Sequence, residues 1–309
     1  MIYYHDTITS ETGATGLQTD IYFGDDDADG LTAAEKLATI VDYDINGRLE
    51  DYVEFKHETG AGLDVTTTTT RSLITYSTTT GQMAQYDDNI VKQGQATQNI
   101  QRRDMSYNTI GQLIYYKDTI TSLQGATALI TTVYFGDDNA TKADANLAGF
   151  AAVDYDIYGR LEDYTEFKTE ISGIELNVST TTKRTNIGYY STGQMKDYDE
   201  EVIKSGQAQT TTYRDNITYT TLGFIDTYTD TITSSATTQL TTTIDFDATS
   251  YDDKGRLASY IETKTEKDKD NAAIYSVTTT TTRTNILYDN LTGQMAQYDD
   301  NIVKQGQAT

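Results

Sequence analysis

Apolar, aromatic and polar residues along this chain follow a pattern that returns eight times. Each unit has a leading Tyr, a short turn ending in Gly, usually Arg or Gln, an apolar residue, a second Tyr, and an acid two places later. The turn glycines are Gly47, Gly81, Gly111, Gly159, Gly193, Gly223, Gly255 and Gly293. Thr-rich, β-branched segments such as Val65–Thr70 lead into the turns and favour strands. The pattern predicts one β-hairpin per unit.

Two apolar positions recur in nearly every unit, and we expect them to form the core. The position two residues before the leading Tyr holds Val41, Ile74, Met105, Val153, Ile187, Ile217 and Ile286. The position two residues after the Gly holds Leu49, Met83, Leu113, Leu161, Met195, Ile225, Leu257 and Met295. A single hairpin with so few apolar residues is marginally stable in water, so neighbouring hairpins must stack.

The units are grouped into a longer repeat. Ile2, Tyr43 and Gly81 recur 112 residues later at Ile114, Tyr155 and Gly193. We interpret residues 1–309 as one continuous array with periods of approximately 1–112, 113–224 and a shortened 225–309. The predicted fold is all-β, an elongated or spiralling, solenoid-like array of stacked β-hairpins with one or two short helical inserts. Residues 2–10 match 114–122 closely, which predicts that the chain was cut from something longer.

The amino-acid composition argues against several classes of function, namely Cys-based metal sites, nucleic-acid binding, membrane insertion and catalysis. Cys is absent, and 47 acidic against 23 basic residues give a formal charge of -24, so a Cys-based metal site and nucleic-acid binding are not expected. No run of 18 or more apolar residues exists, so we expect no membrane insertion. The two histidines, His5 and His57, are replaced at the equivalent repeat positions by Lys117 and Thr169. We therefore expect no enzymatic activity.

The most repeated polar feature is a Tyr followed two residues later by an acid, as in Tyr86 and Asp88. Such a ladder could bind sugars or cations. In five units, however, an Arg stands five residues before the leading Tyr, and the hairpin folds it back to the level of the acid. We favour solvent-exposed cross-strand ion pairs, each contributing only about 0.2–1 kcal/mol. The predicted pairs join Arg71 to Asp87 or Asp88, Arg184 to Asp199 or Glu200, and Arg283 to Asp299 or Asp300.

The first insert carries a candidate calcium loop. Its acids alternate and a Gly follows, as in the pattern D-x-D-x-D-G, and oxygen ligands so spaced suit Ca²⁺. The candidate ligands are Asp25, Asp27, Asp29 and Glu35. The competing interpretation is that Thr32–Glu35 forms a capping box that opens a short helix over Ala33–Ala38. Calcium is the one candidate cofactor.

Three units carry a fuller motif that resembles the YD repeats of the Rhs and teneurin type. These units are Tyr43–Tyr52, Tyr155–Tyr164 and Tyr251–Tyr260, each reading Tyr-Asp-x-x-Gly-Arg-Leu-x-x-Tyr. The resemblance implies a spiralling sheet of β-hairpins, which in bacterial toxins wraps into a hollow shell around a cargo and in cell-surface proteins serves adhesion. This chain departs from the family in its longer units, grouped in threes, and in lacking anything like the autocleavage region that closes the toxin shells.

The resulting functional expectation is a structural segment of a large secreted or cell-surface bacterial-type protein, acting as a stalk, fibre or adhesive scaffold. One alternative is part of a shell that encloses a toxin or other cargo. Another is a carbohydrate-binding surface that uses the Tyr ladder. The expected partners are neighbouring repeats of a longer parent chain together with cell-surface or glycan partners, and the expected location is extracellular or at the cell surface.

Overall fold

A computed structural model describes residues 4–9, 18–24, 41–60, 63–123, 128–137, 153–173, 176–272, 275–289 and 293–306. The chain divides into two compact units. The first contains Met1–Phe135, Lys168–Asn177 and Asp289–Gln294, and the second contains Gly136–Phe167, Val178–Tyr288 and Met295–Thr309. All regular structure among the described residues is β-strand or isolated bridge, which confirms the all-β prediction. The predicted helical inserts lie outside the described residues.

Nineteen strands are described. The first nine are β1 (Tyr4–Thr9), β2 (Gln18–Phe23), β3 (Val41–Tyr43), β4 (Leu49–Gly60), β5 (Leu63–Tyr76), β6 (Met83–Lys92), β7 (Thr97–Tyr107), β8 (Leu113–Leu123) and β9 (Leu129–Phe135). The others are β10 (Val153–Tyr155), β11 (Leu161–Ser172), β12 (Leu176–Tyr189), β13 (Met195–Lys204), β14 (Thr210–Asp215), β15 (Thr227–Ser234), β16 (Leu240–Tyr251), β17 (Leu257–Asp268), β18 (Ser276–Tyr288) and β19 (Met295–Gln305).

In the first unit, strands pair with their chain neighbours in antiparallel fashion. β1 pairs with β2, and the series β4 to β9 continues one strand at a time. The strands β2 and β3 flank the first insert, and both pair with β4 at successive stretches of its length. The insert therefore interrupts one edge of a hairpin without breaking the order of the pairing.

The second unit repeats this arrangement. The short strand β10 pairs with β11, and β12 to β19 form consecutive antiparallel hairpins. Sequential hairpins keep most pairing local in the chain, so each repeat adds strands to the preceding ones. The predicted β-hairpin repeat is confirmed at this level of description.

The turns lie where the glycines predict them. All eight turn glycines have positive φ, from 70° to 89°. At the first turn the Gly47 N–H donates to the Asp44 carbonyl at 2.9 Å. A second set of turns, at Gly94 and Gly206, closes the strands at their other ends, again with positive φ. Glycine tolerates this conformation because it has no Cβ.

A β-bulge precedes most turns. Five residues other than glycine have φ between 54° and 57°, and each lies three residues before a leading Tyr. These residues are Leu73, Asp104, Asn186, Asn216 and Asn285. The register of the flanking strands shifts at these points, as between Ser72 and Thr75. The extra residue changes the direction of the strand. In four hairpins the residue that follows it is a buried Ile.

The core is only partly the predicted one. The isoleucines after the bulges are buried, namely Ile74, Ile187, Ile217 and Ile286. The apolar position two residues after the turn Gly is mostly half-buried, and at this position Ile225 and Met295 are exposed. The prediction that these two residues belong to the core was therefore wrong. Aromatic residues add what the pattern missed, since Phe23, Phe55, Phe135, Tyr86 and Tyr115 are buried. Their burial depends on contacts between strands that a single hairpin pattern does not contain.

Candidate functional site

In each of the two compact units, a row of aromatic and arginine side chains crosses successive strands, and we call this row the ladder. In the first unit the ladder consists of Tyr4, Phe23, Tyr52, Arg71, Tyr86, Arg102, Tyr116 and Phe135. In the second unit it consists of Tyr164, Arg184, Tyr198, Arg214, Tyr228, Phe246, Tyr260, Arg283 and Tyr298. The strand register places these side chains side by side, with Tyr52 opposite Arg71 and Tyr86 opposite Arg102.

Each ladder arginine lies between two tyrosine rings. The Arg71 guanidinium carbon is 3.9 Å from the centre of the Tyr86 ring and 5.6 Å from that of Tyr52. Arg214 repeats this geometry, 3.8 Å from Tyr228 and 5.7 Å from Tyr198. At these distances the cation is attracted to the negative face of each ring. The ring faces are therefore already occupied by protein groups.

In five hairpins the acid two residues after a ladder tyrosine binds the arginine of the preceding strand. Arg71 Nε and Nη2 donate to the two carboxylate oxygens of Asp88, both at 2.7 Å. Arg102 contacts Asp118 in the same way at 2.8 and 2.6 Å. The other pairs are Arg184 with Glu200, Arg214 with Asp230 and Arg283 with Asp300. The predicted pairing is thus confirmed.

The burial of these pairs differs from the prediction of exposed ion pairs. Asp88, Asp118 and Asp230 have residue exposures of 7%, 6% and 5%. A buried carboxylate loses its water shell and depends on its partner. The interior pairs therefore matter more to stability than surface pairs do. In the pair on the last strand, the Asp300 side chain is 23% exposed, whereas that of Asp88 is 7% exposed.

Phenylalanine takes the place of arginine on the strands that precede or replace an insert. Phe23 stacks on Tyr4 with ring centres 5.0 Å apart and lies 5.0 Å from Tyr52. The ring centre of Phe246 lies 4.8 Å from that of Tyr228 and 5.4 Å from that of Tyr260. This role was not predicted from the sequence, although the signal was present, since a Phe occurs at the same place in each period.

The charged and titratable side chains of the ladder have pKa values shifted by burial and by their pairing with one another. Burial raises the pKa of Tyr86 and Tyr198, so neither phenol ionises near neutral pH. The hydrogen bonds that Arg71 and Arg214 donate to the carboxylates of Asp88 and Asp230 raise the pKa of each guanidinium. A general base or nucleophile needs a group whose pKa is tuned toward neutrality. The pKa values of these ladder tyrosines and arginines are shifted away from neutrality instead.

A second repeated arrangement, which we call the turn clasp, joins each YD-type turn to the following unit. Asp44 accepts hydrogen bonds from the backbone N–H groups of Asn46 and Arg48, at 2.8 and 2.9 Å, and from Arg48 Nε at 2.8 Å. The Arg48 guanidinium then lies 4.2 Å from the Tyr76 ring centre. Tyr76 in turn donates its hydroxyl hydrogen to the Leu49 carbonyl at 2.8 Å.

The turn clasp recurs at the other two YD-type turns. Tyr189 and Tyr288 donate to the carbonyls of Leu161 and Leu257, at 2.7 and 2.8 Å. The arginines of these clasps, Arg160 and Arg256, also stack on the following tyrosine. The Asp, the Gly, the Arg and the Leu of the motif, together with the leading Tyr of the following unit, thus hold one turn against the next.

Each histidine lies beside one acid of the adjacent strand. His5 Nε2 lies 3.2 Å from Asp20 Oδ1, and its ring stacks on Tyr22. His57 Nε2 lies 2.7 Å from Asp64 Oδ1. Among the residues that the structure describes, no group of three or more His, Cys, Asp or Glu could hold a metal ion.

The candidate calcium ligands cannot be placed. Asp25, Asp27, Asp29 and Glu35 all lie outside the described residues, as does the alternative capping box at Thr32–Glu35. The calcium site therefore stays a prediction. A search of the described part for a helix long and apolar enough to cross a membrane found none.

Models of known protein families, curated proteins and solved structures were compared with this chain, and none matches. The functional assignment therefore rests on the geometry of the repeats. That geometry shows which side chains are engaged by other repeats and which are left accessible.

Proposed function

We propose that this chain is a structural repeat segment of a large secreted or cell-surface protein, where it acts as a stalk, fibre or adhesive scaffold. The observation that carries the proposal is that ladder side chains of neighbouring strands bind one another. The ladder arginines bind a carboxylate of the following strand, and tyrosine rings flank them. Arginine, tyrosine and acid side chains that recur in five of the eight hairpins are thus used to join strands.

The turn clasps support the same function. A scaffold gains length by adding units, so each unit must bind its neighbour through groups that every unit supplies. Tyr76 and Tyr189 meet this requirement, since each hydroxyl bonds to the backbone of the preceding turn. The resemblance to YD repeats points to the same class, because members of that family include cell-surface adhesion proteins.

The carbohydrate-binding alternative is less well supported. Sugar stacking needs accessible ring faces, but Tyr86 and Tyr198 are only 8% and 7% exposed and arginines flank both rings. The shell alternative shares the hairpin architecture and differs in the path of the array, which in a shell wraps around a cargo.

Small-angle scattering of the full chain separates the scaffold from the shell. A scaffold predicts the scattering of a rod, with a constant cross-section along its length. A compact body with a hollow interior would support the shell and contradict the scaffold. Glycan-array binding that is lost in Tyr298→Ala would support the carbohydrate alternative instead.

A further inference from the structure

One face of the second compact unit carries threonines in a two-dimensional array, which we call the threonine lattice. The lattice lies on β14 to β18, on the face opposite the ladder, because alternate residues of a strand point to opposite faces. The strand register aligns its side chains in three rows across the sheet. The rows contain Thr231, Thr243, Thr265 and Thr278; Thr229, Thr263 and Thr280; and Thr211, Thr233 and Thr241.

The lattice requires Thr at alternate positions on several neighbouring strands, and a single Thr-rich strand does not produce it. In the first unit, Thr66 to Thr70 of β5 alternate in the same way. There, however, Thr68 lies between Phe55 of β4 and Val91 of β6. The rows of threonines in the second unit are therefore a local feature and not a general consequence of the repeat.

The hydroxyl groups of the lattice have restricted positions. Thr265 Oγ1 lies 3.2 Å from Thr278 Oγ1, and Thr263 Oγ1 lies 3.5 Å from Thr280 Oγ1. Branching at Cβ restricts χ1 of each side chain, so the methyl groups are held as well. None of the lattice threonines is buried. A hydroxyl has one donor and two acceptor sites, so a single bond between neighbours leaves capacity for water.

The lattice is almost uncharged, although the chain has a formal charge of -24. The charged side chains in or beside its rows are Asp215, Asp245 and Lys267. Asp245 interrupts the row between Thr229 and Thr263 and accepts a hydrogen bond from Thr229 Oγ1 at 2.9 Å. A surface of hydroxyl and methyl groups suits a neutral partner that consists of hydrogen-bonding groups.

The spacing of the lattice identifies such a partner. Side chains on one face lie about 4.8 Å apart across paired strands and about 6.8 Å apart along a strand. Oxygen atoms on the prism faces of ice repeat at similar distances in two perpendicular directions. Water molecules bound to the threonine hydroxyls can therefore occupy positions that match sites of the ice crystal.

We propose that the threonine lattice binds the surface of ice crystals. Each ordered water costs immobilisation entropy, and a surface that already holds water in a matching arrangement lowers this cost when the crystal meets it. This activity goes beyond the proposed scaffold role, because that role uses the ladder and the turn clasps and does not use the lattice.

The test measures thermal hysteresis, the gap between the melting and freezing points of a single ice crystal, in a solution of the full chain. We expect a measurable gap and faceted crystals. Thr243→Tyr, at the centre of the lattice, should abolish the gap, because the ring holds the ice away from the neighbouring hydroxyls. Thr242→Tyr is the matched control, since Thr242 lies on the opposite face beside Ile232 and Glu266, and it should preserve the gap.

A second variant separates binding from folding. Thr243→Val keeps the shape of the side chain and removes only the hydroxyl, so it should reduce the gap without changing the melting temperature of the protein. Circular dichroism melting curves of all three variants measure their folding.

Rounded crystals and no gap with the original chain would overturn the proposal. A gap that both Thr243→Tyr and Thr243→Val leave unchanged would overturn it too, as would a gap that a fully folded Thr242→Tyr abolishes. The outcome does not depend on the shape of the array. A chain that scatters as a rod and shows no thermal hysteresis contradicts ice binding and leaves the scaffold role intact.

Discussion

Arg71 and Asp88 form a two-point ion pair, with both hydrogen bonds at 2.7 Å, in which the carboxylate is almost fully covered. Arg283 and Asp300 form the same pair at 2.7 and 2.8 Å on the last strand, where side-chain exposure of the acid is 23%. The two pairs have the same chemistry and register, and they differ in their surroundings. They therefore form a matched test of what burial adds to the ladder.

We predict that Arg71→Ala lowers the free energy of unfolding by about 2–4 kcal/mol, since it leaves the buried Asp88 without its partner. Arg283→Ala should shift the melting temperature less than half as much, because water can solvate Asp300. Thermal and urea unfolding of both variants measures the difference. Equal effects of the two substitutions would show that burial in the interior of the ladder contributes nothing.

The bulge at Leu73 offers a stabilising substitution. Leu73 has φ of 55° and is 59% exposed, whereas the equivalent positions in three other units hold Asn186, Asn216 and Asn285. Asn tolerates this conformation better than Leu does. We expect Leu73→Asn to raise the free energy of unfolding by about 0.5–1 kcal/mol. The reverse change, Asn186→Leu, serves as the control and should lower it, and a destabilising Leu73→Asn would refute the argument from strain.

The turn clasps predict a loss of stability in acid. The hydrogen bond from the Arg48 backbone N–H lowers the pKa of Asp44 to about 2, and clasp hydrogen bonds also outweigh the effect of burial and lower the pKa of Asp156 and Asp252. A carboxyl with a depressed folded-state pKa contributes stability above its unfolded value, roughly pH 4, and loses it as pH falls toward the folded value.

We therefore expect the melting temperature to fall between about pH 4 and pH 2. Asp44→Asn should make this part of the curve shallower, whereas Asp270→Asn, at an exposed acid outside the clasps, should leave it unchanged. Melting curves across this pH range measure the effect. A slope that Asp44→Asn does not alter would exclude the clasp as its source.

Calcium binding at the first insert is a separate prediction. Three alternating aspartates repel one another unless a cation lies among them, so excess calcium should raise the melting temperature by mass action. Asp27→Asn should abolish the rise, while Asp138→Asn in the second insert, which lacks the alternating pattern, should preserve it. If millimolar calcium changes neither melting nor calorimetric heat, the segment Thr32–Glu35 is better interpreted as a helix cap.

The local features of this fold were predictable from the sequence, because turns and register depend on residues close in the chain. Gly47 and its equivalents marked the turns, and the distance from each arginine to its turn gave the partner acid. The bulge at Leu73 was not predictable, since nothing in the leucine side chain favours positive φ. The burial of Asp88 was not predictable either, because it depends on Tyr86 and on a third strand. The stacked Phe23 required knowledge of how β1, β2 and β4 lie together.

The central claim is that the repeated side chains bind neighbouring strands to one another, and a double-mutant cycle on Arg102 and Asp118 tests it most directly. Each single change to Ala leaves a buried, unpaired charge and should cost about 2–4 kcal/mol of unfolding free energy. The double variant should cost less than the sum by about 1–3 kcal/mol, because neither charge is then left alone. Additive effects, or single variants as stable as the original chain, would contradict the account.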